Sequence, residues 1–206
     1  FDLDALGFGV GPLLISKIEI INPSSELEKL QIGIPGKYTT ANFLLSLAYP
    51  EATNKTEMVF SEIEDALTNN RIDIGLIIHE NRFTYLEKGF KKVRDLGEFW
   101  EELTSCPIPL GGIMIRRTLP EEIKQKVNRV IRRSVEFAFA NPKSGIDFIS
   151  SHAQEMSEEV MYKHIELYVN RYSIDLGDEG RKAVSVLFEA AETMDLIPKS
   201  TKNLFL

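Results

Sequence analysis

Between residues 30 and 78, short apolar runs alternate with helix-start signals, and this alternation constrains the fold more than any other feature. The runs Leu30–Ile34, Met58–Phe60 and Ile74–Ile78 are the length of strands, and threonine or serine stands where a helix can begin between them. A strand–helix–strand–helix–strand order is typical of parallel βαβ units. The sequence therefore predicts an α/β fold with a parallel or mixed sheet.

The rest of the chain adds further strands and then becomes helical. Apolar residues recur at helical spacing after the capping-box pattern Thr118–Glu121, and Asn141-Pro142 ends that helix. A second capping-box pattern, Ser61–Glu64, predicts the start of an earlier helix. The other predicted strands are Leu13–Lys17, Lys92–Leu96 and Gly111–Arg117, and the other predicted helices cover Thr40–Tyr49, Glu98–Leu103, Lys143–Ser151, Ser157–Tyr172 and Gly177–Met194.

Two glycine- and proline-containing segments, near Gly11-Pro12 and Pro107–Gly112, predict crossings between two lobes. We expect a middle α/β lobe over residues 16–108 and a discontinuous second lobe made of residues 1–15 and 109–206. Ligands favour clefts between such lobes. The chain starts at Phe1 without a methionine and enters a glycine-rich run almost at once. We therefore expect that an amino-terminal segment of the second lobe is missing.

Composition excludes some classes of partner. The chain has 206 residues, a net charge of −7 and a pI near 5.1, which disfavours a nucleic-acid partner. We predict no membrane partner, because no apolar run approaches the roughly 18–20 residues that span a bilayer. The single cysteine, Cys106, cannot form an intrachain disulfide and fits a reducing compartment, so we expect a cytoplasmic protein. The oligomeric state is not fixed by the sequence.

The buried strand Ile74–Ile78 delivers His79, Glu80 and Arg82 together at its carboxyl end. Ligands bind beyond the carboxyl ends of strands in open α/β sheets, and an imidazole there is a candidate general base. The alternative is a surface histidine in a turn. Glu80 could orient the histidine, contact a substrate hydroxyl or be solvated. Arg82 could hold a substrate carboxylate, although an ion pair with a nearby acid is the preferred interpretation.

A second candidate is the Pro-Gly turn after Ile34, which leads to a helix beginning at Thr39 or Thr40. The amides at the start of a helix can bind a carboxylate or phosphate, and the two threonines add hydroxyl donors. The alternative is an ordinary capped helix. The spacing of a nucleotide-binding P-loop is absent.

Other residues carry weaker signals. Gly11 and Pro12 close a run of alternating glycines, which suits either close approach of a ligand or a crossing between lobes. His152, His164 and Cys106 lack partners at the spacing of metal ligands, so no metal site is predicted.

Five segments in order resemble one family. These are residues 5–12, 34–41, 75–85, 95–101 and 107–113, with sequences ALGFGVGP, IPGKYTTA, GLIIHENRFTY, DLGEFWE and PIPLGGI. Together they are similar to the 1,4-dihydroxy-6-naphthoate synthases of the futalosine route to menaquinone. The resemblance extends over essentially the whole chain.

This resemblance implies a two-lobed, periplasmic-binding-protein-like (type II) fold. It implies a carbon–carbon lyase that converts cyclic dehypoxanthinyl futalosine, a small anionic substrate, to 1,4-dihydroxy-6-naphthoate. It also implies that His79 is the catalytic base, that Thr40 and Ala41 form the substrate-binding turn, and that neither a metal nor an organic cofactor takes part. The Cys-Pro-Asn-Asp-like segment with which the family usually opens has no match here.

Three alternatives stay open. One is a solute-binding protein of a transport system that captures a small anion. The second is chorismate dehydratase, a sister enzyme that shares the fold and resembles this chain less around residues 79–85. The third is the effector-binding lobe of a regulator.

Overall fold

A computed structural model describes residues 4–79, 81–152 and 157–206. Contacts divide the chain into two compact units. Residues 8–105 form the first, which we call the middle unit, and the residues up to Gly7 form the second unit together with those from Cys106 onwards. Each unit has its own sheet.

Seven strands and nine α-helices form in the part of the chain that the structure describes. The strands are β1 (Asp4–Gly7), β2 (Leu13–Ser16), β3 (Ile32–Ile34), β4 (Lys55–Glu57), β5 (Ile74–Ile77), β6 (Lys91–Asp95) and β7 (Ile108–Gly112). The α-helices are α1 (Pro23–Glu26), α2 (Thr40–Ala48), α3 (Ile63–Thr68), α4 (Asn81–Thr84), α5 (Leu96–Thr104), α6 (Glu121–Ala140), α7 (Ile146–His152), α8 (Glu158–Tyr168) and α9 (Gly177–Thr193). Short 3₁₀ helices cover Leu27–Lys29, Phe60–Glu62 and Arg171–Ser173.

The middle unit is built on a mixed sheet with the strand order β4-β3-β5-β2-β6. β3 is parallel to β4 and β5, as the predicted βαβ units require, whereas β2 is antiparallel to both β5 and β6. Four strands therefore end at the same edge, at Ile34, Glu57, Ile77 and Asp95. We call this the carboxyl edge. The predicted α/β fold with a mixed sheet is confirmed.

Helices cover the sheet of the middle unit, and its central strands are buried. Every residue of β2, β3 and β5 is buried. The helices α2, α3 and α5 contribute fully buried side chains such as Leu44, Leu67 and Trp100. Strands buried on both faces are typical of α/β folds, and their continuous apolar runs follow from that burial. The ends of these strands are therefore held at fixed positions along the carboxyl edge.

The second unit contains the antiparallel pair of β1 and β7 together with the helices α6 to α9. Leu6 of β1 packs in one apolar cluster with Tyr172, Leu176 and Ala183. The long helix α6 contributes no buried side chain among the described residues. Its start at Glu121 lies within the predicted helix-start pattern Thr118–Glu121, and its last residue, Ala140, directly precedes the predicted stop at Asn141-Pro142.

Several predicted boundaries are wrong, and pairing explains each difference. The strand predicted at Met58–Phe60 is β4, at Lys55–Glu57. β4 lies at the exposed edge of the sheet, where polar residues are tolerated, so its sequence lacks an apolar signal. The strand predicted at Gly111–Arg117 is β7, which starts earlier because Ile108 pairs with Gly7. Neither predicted capping box forms, since the residues before α3 and α6 make no side-chain cap.

The chain passes between the two units at positions other than the predicted lobe boundaries. The expected boundary between residues 15 and 16 would divide β2, yet all of β2 pairs with β5 and β6 in the middle unit. The expected boundary between residues 108 and 109 would divide β7, which pairs with β1 in the second unit. Strand pairing therefore sets the division after Gly7 and after Ser105.

A close approach of two backbone segments fixes the start of β2 against α5. A Cβ atom on Gly11 would lie 2.2 Å from the Cα and 2.3 Å from the nitrogen of Gly97. The nitrogen of Leu96 also donates to the carbonyl of Pro12 at 3.0 Å. Neither segment can move away without disturbing its element, because Gly11 leads into the buried strand β2 and Gly97 lies in the first turn of α5.

We predict that Gly11→Ala lowers the free energy of unfolding by about 1–3 kcal/mol, since the added methyl group collides with backbone atoms. The matched control is Gly111→Ala, where a Cβ atom meets nothing within 4 Å. Urea unfolding of both variants measures the difference. Equal stability of the two variants would contradict the close approach.

Candidate functional site

The carboxyl edge of the middle unit brings together candidate residues that are far apart in sequence. His79 follows β5, the turn from Pro35 to Thr39 follows β3, and Phe60 follows β4. Gly11 and Pro12 precede β2, whose first residue, Leu13, lies opposite the ends of both β5 and β6. The structure thus places the described candidates at the edge where ligands bind in open α/β sheets.

His79 is an exposed side chain on a strained backbone. Its φ angle is 59°, in the left-handed region that side chains other than glycine seldom adopt. Its ring lies with its centroid 5.1 Å from that of Phe60, and the two planes meet at 65°. Strained backbone of this kind costs on the order of 1–3 kcal/mol and clusters at functional sites. The imidazole is therefore both accessible and held in a defined turn.

The start of α2 is the second part of the site. The Thr39 side chain is its N-cap: the hydroxyl oxygen accepts from the nitrogen of Asn42 at 3.2 Å. In the hydrogen-bond pattern of the described residues, the amides of Thr40 and Ala41 have no partner. The dipole of α2 adds about half a positive charge at this end. The amides of Thr40 and Ala41 can therefore donate hydrogen bonds to an anion.

The Thr39 hydroxyl, predicted as a donor to substrate, is engaged within the turn. The Thr39 hydroxyl donates its proton to the carbonyl of Gly36 at 2.8 Å, so Thr39 shapes the turn. The nitrogen of Lys37 donates to the Glu57 carboxylate at 2.8 Å, which fixes the same turn to the end of β4. Thr40, the next residue along the chain, is half-buried.

Arg82 binds a protein carboxylate, which is the alternative that the sequence favoured over a substrate contact. One guanidinium nitrogen donates to the carboxylate of Asp95 at 2.6 Å, and the other donates to the carbonyl of Gly11 at 2.6 Å. The Arg82 side chain is only 16% exposed and that of Asp95 is 2% exposed. Arg82 is therefore a structural residue that ties α4 to β6 and to the segment before β2.

Gly11 and Pro12 also act within the protein. Their carbonyls accept from Arg82 and from the nitrogen of Leu96, and both residues are buried. At Gly11 the structure shows backbone packed closely against Gly97, which is neither of the two interpretations offered for the alternating glycines. Glu80, the remaining predicted contact, lies outside the described residues.

Titratable groups elsewhere do not extend the site. His152 and His164 belong to α7 and α8 of the second unit. In residues 4–79, 81–152 and 157–206, no group of three His, Cys, Asp or Glu side chains is arranged to hold a metal ion. Burial lowers the pKa of Lys55 and raises that of Tyr49, and both residues contact the C-terminal part of α2, away from its anion-accepting end.

Sequence reasoning missed the roles of Asp95 and Phe60. Asp95 accepts from the nitrogens of Gly97 and Glu98 at 2.9 and 3.2 Å, so it is the N-cap of α5. The signal was present, because an aspartate at the end of a strand and three residues before a glutamate is typical of a helix start. Phe60 had no such signal, since its contact with His79 joins segments 19 positions apart.

Comparison with solved structures defines the class of fold. The structure is similar to a ligand-binding component of an ABC-type import system from Staphylococcus aureus, with a TM-score of 0.63 and 16% identity over 97% of this chain and 69% of that one. It is also similar to the periplasmic aliphatic sulphonate binding protein of Escherichia coli, with a TM-score of 0.55 and 13% identity over 100% and 73% of the two chains. The fold is therefore the type II fold of periplasmic solute-binding proteins, as the resemblance implied.

Sequence similarity narrows the class to a family. The family model described as "Menaquinone biosynthesis" matches residues 3–193. The 1,4-dihydroxy-6-naphthoate synthase of Thermus thermophilus is 43% identical over 201 residues, which are 98% of this chain and 72% of the relative. The enzyme of the same name from Streptomyces coelicolor is 36% identical, over 94% of this chain and 69% of the relative. The chain belongs to the menaquinone biosynthesis family.

A solved structure is similar over nearly the whole chain. A crystal structure of a protein from Archaeoglobus fulgidus matches with a TM-score of 0.87 and 36% identity, over 95% of this chain and 72% of that one. The relatives with known names are enzymes, which favours an enzyme here. Among the residues that the structure describes, we find no helix with the length and apolar character needed to cross a membrane.

We predict that Asp95→Asn lowers the free energy of unfolding by about 3–5 kcal/mol, because it leaves the buried Arg82 guanidinium without its counter-ion. Glu102→Gln is the matched control. This change removes the ion-pair partner of Arg94, and the side chains of Arg94 and Glu102 are 36% and 66% exposed. Exposed ion pairs contribute at most about 1 kcal/mol to stability. Chemical denaturation measures both, and similar losses would contradict the structural role given to Asp95.

Proposed function

We propose that this chain is a 1,4-dihydroxy-6-naphthoate synthase that acts as a carbon–carbon lyase on cyclic dehypoxanthinyl futalosine. The two named relatives support this assignment. The single structural observation that carries it is the exposed imidazole of His79, held in a left-handed turn at the carboxyl edge. A predicted cytoplasmic location and the absence of a nucleic-acid partner belong to the same proposal.

The start of α2 is proposed as the binding site for the substrate carboxylate. The amides of Thr40 and Ala41 and the Thr40 hydroxyl supply donors, and the helix dipole supplies positive potential. Because Thr39 is fixed to Gly36 and to Asn42, these donors need no rearrangement to meet an anion. Pre-organised donors of this kind reduce the entropic cost of binding.

His79 is proposed as the general base. The end of β5, which carries His79, adjoins the end of β3, which carries the turn to α2, because β3 and β5 are paired neighbours. A substrate anchored at α2 therefore places its reacting end toward the imidazole. The imidazole takes the proton of a substrate hydroxyl, and that oxygen becomes the carbonyl of the departing sugar-derived fragment as the carbon–carbon bond breaks. The electron pair of the broken bond passes into the remaining ring, which becomes aromatic, and the imidazolium returns its proton to the product. A positioned base contributes roughly 10²–10⁴-fold to such a step.

A second candidate function is favoured by the likeness to solute-binding proteins. The structure shares its fold with the sulphonate-binding protein of Escherichia coli. A helix start that accepts a carboxylate would also hold a small anion without any chemistry. In that case the chain would bind its ligand and release it unchanged.

Incubation of the chain with cyclic dehypoxanthinyl futalosine separates these two candidates. The lyase produces 1,4-dihydroxy-6-naphthoate, which absorption and mass spectrometry detect, together with the sugar-derived fragment. Calorimetric titration with the same compound measures binding. Binding without product favours the solute-binding function and would exclude the proposed lyase.

We predict that His79→Asn lowers kcat by about 10²–10⁴-fold, because the base is lost, while substrate binding is retained. Asparagine tolerates the left-handed backbone, so the fold is preserved. The control is His152→Asn, which removes an exposed histidine of the second unit. Steady-state kinetics and circular dichroism measure the outcome, and near-normal turnover by His79→Asn would show that another group is the base.

We predict that Thr40→Val weakens substrate binding about tenfold or more with a smaller change in kcat, because a hydrogen bond to a charged group contributes about 1.5–3 kcal/mol. Valine keeps the shape of the side chain and removes only the hydroxyl. Thr53→Val, at an exposed position between α2 and β4, is the matched control. Titration calorimetry checks the result, and unchanged affinity would remove Thr40 from the binding site.

A further inference from the structure

We propose that Phe60 is a positioning residue that sets the orientation of the His79 imidazole. This inference rests on the proposed function for its catalytic consequence, but the contact itself can be tested without any turnover. The ring of Phe60 lies edge-on to that of His79, with 5.1 Å between centroids and 65° between planes. Aromatic pairs prefer such tilted arrangements.

The backbone at Phe60 is fixed by contacts that do not involve His79. The nitrogen of Met58 donates to the carbonyl of Ile34 at 3.0 Å, which anchors the segment after β4 to the end of β3. The nitrogen of Glu62 donates to the carbonyl of Val59 at 2.8 Å and closes the 3₁₀ turn that Phe60 begins. The backbone that carries Phe60 is therefore held in place independently of His79, so the Phe60 ring contacts the imidazole from a fixed position.

The position of the two rings explains why this residue must be large. β4 and β5 are separated by β3, so their ends lie roughly 9–10 Å apart at the usual strand spacing. The side chains of Phe60 and His79 extend far enough from their backbones for the two rings to contact each other across the end of β3. An aliphatic side chain at position 60 would fill similar space without presenting a ring to the imidazole.

The backbone of His79 is fixed from its other side. Its carbonyl accepts from the nitrogen of Arg82 at 3.3 Å, and the Arg82 guanidinium is bound to Asp95 and Gly11. These contacts fix the backbone of His79. The contact with Phe60 acts on the ring itself and restricts its rotation, which favours one orientation of the imidazole.

The test combines two variants of Phe60 with a matched control. Phe60→Leu removes the ring, and Phe60→Tyr restores it. Phe148→Leu makes the same change in another Phe–His pair of this chain, where Phe148 stacks on His152 at 4.3 Å. Proton NMR reports the imidazole signals, which His79→Asn assigns by their disappearance. Thermal unfolding establishes that each variant is folded.

We expect Phe60→Leu to move the His79 signals and to lower kcat about 3- to 10-fold, with KM changed less than about twofold, as an aromatic contact of ordinary strength allows. Phe60→Tyr should restore both. Phe148→Leu should move the His152 signals and leave kcat unchanged.

Other results would overturn the inference. His79 signals that do not move in folded Phe60→Leu, or signals that move with no change in kcat, would show that Phe60 does not position the base. A change confined to KM would show that Phe60 contacts substrate instead. If the unaltered chain has no turnover, the proposed function fails. The Hα–Hβ coupling constants of His79, which report its side-chain rotamer independently of ring currents, then decide whether Phe60 orients the ring.

Discussion

The carboxylate of Asp95 is the interaction on which the geometry of the site depends. One of its oxygens caps α5 through the nitrogens of Gly97 and Glu98, and the other binds the Arg82 guanidinium. Arg82 in turn holds the carbonyl of Gly11. A single buried anion therefore joins β6, α5, α4 and the segment before β2. Because α4 begins two residues after His79, this network also fixes the backbone that carries the imidazole.

The fold explains how a binding scaffold can become an enzyme with few changes. Parallel strands that end at one edge place a helix start and an open turn side by side, which is sufficient to hold an anion. A catalytic group must then be added within reach of the bound ligand. In the proposed function, the histidine after β5 is that group and accepts the proton. Fold alone would not distinguish the two functions, since solute-binding proteins share it.

Local sequence signals predicted some parts of the site and not others. The βαβ pattern correctly placed the end of β3 and the end of β5 at one edge, because buried parallel strands are marked by apolar runs. The same reasoning misplaced β4, whose polar residues reflect its position at the edge of the sheet. It also left open whether Arg82 meets a substrate or a protein acid. That choice depends on Asp95, 13 positions away, and only the packed structure brings the two together.

The sequence by itself determined the class of fold, the position of His79 after a buried strand and the helix start at Thr40, because each is encoded in neighbouring residues. Tertiary structure decided which polar groups remain for a ligand. It assigned the Thr39 hydroxyl to Gly36 and the Arg82 guanidinium to Asp95, and it placed Phe60 against the imidazole. The physical reason is that hydrogen bonds and ring contacts are settled by groups distant in sequence, whereas helix starts and strand ends are settled locally.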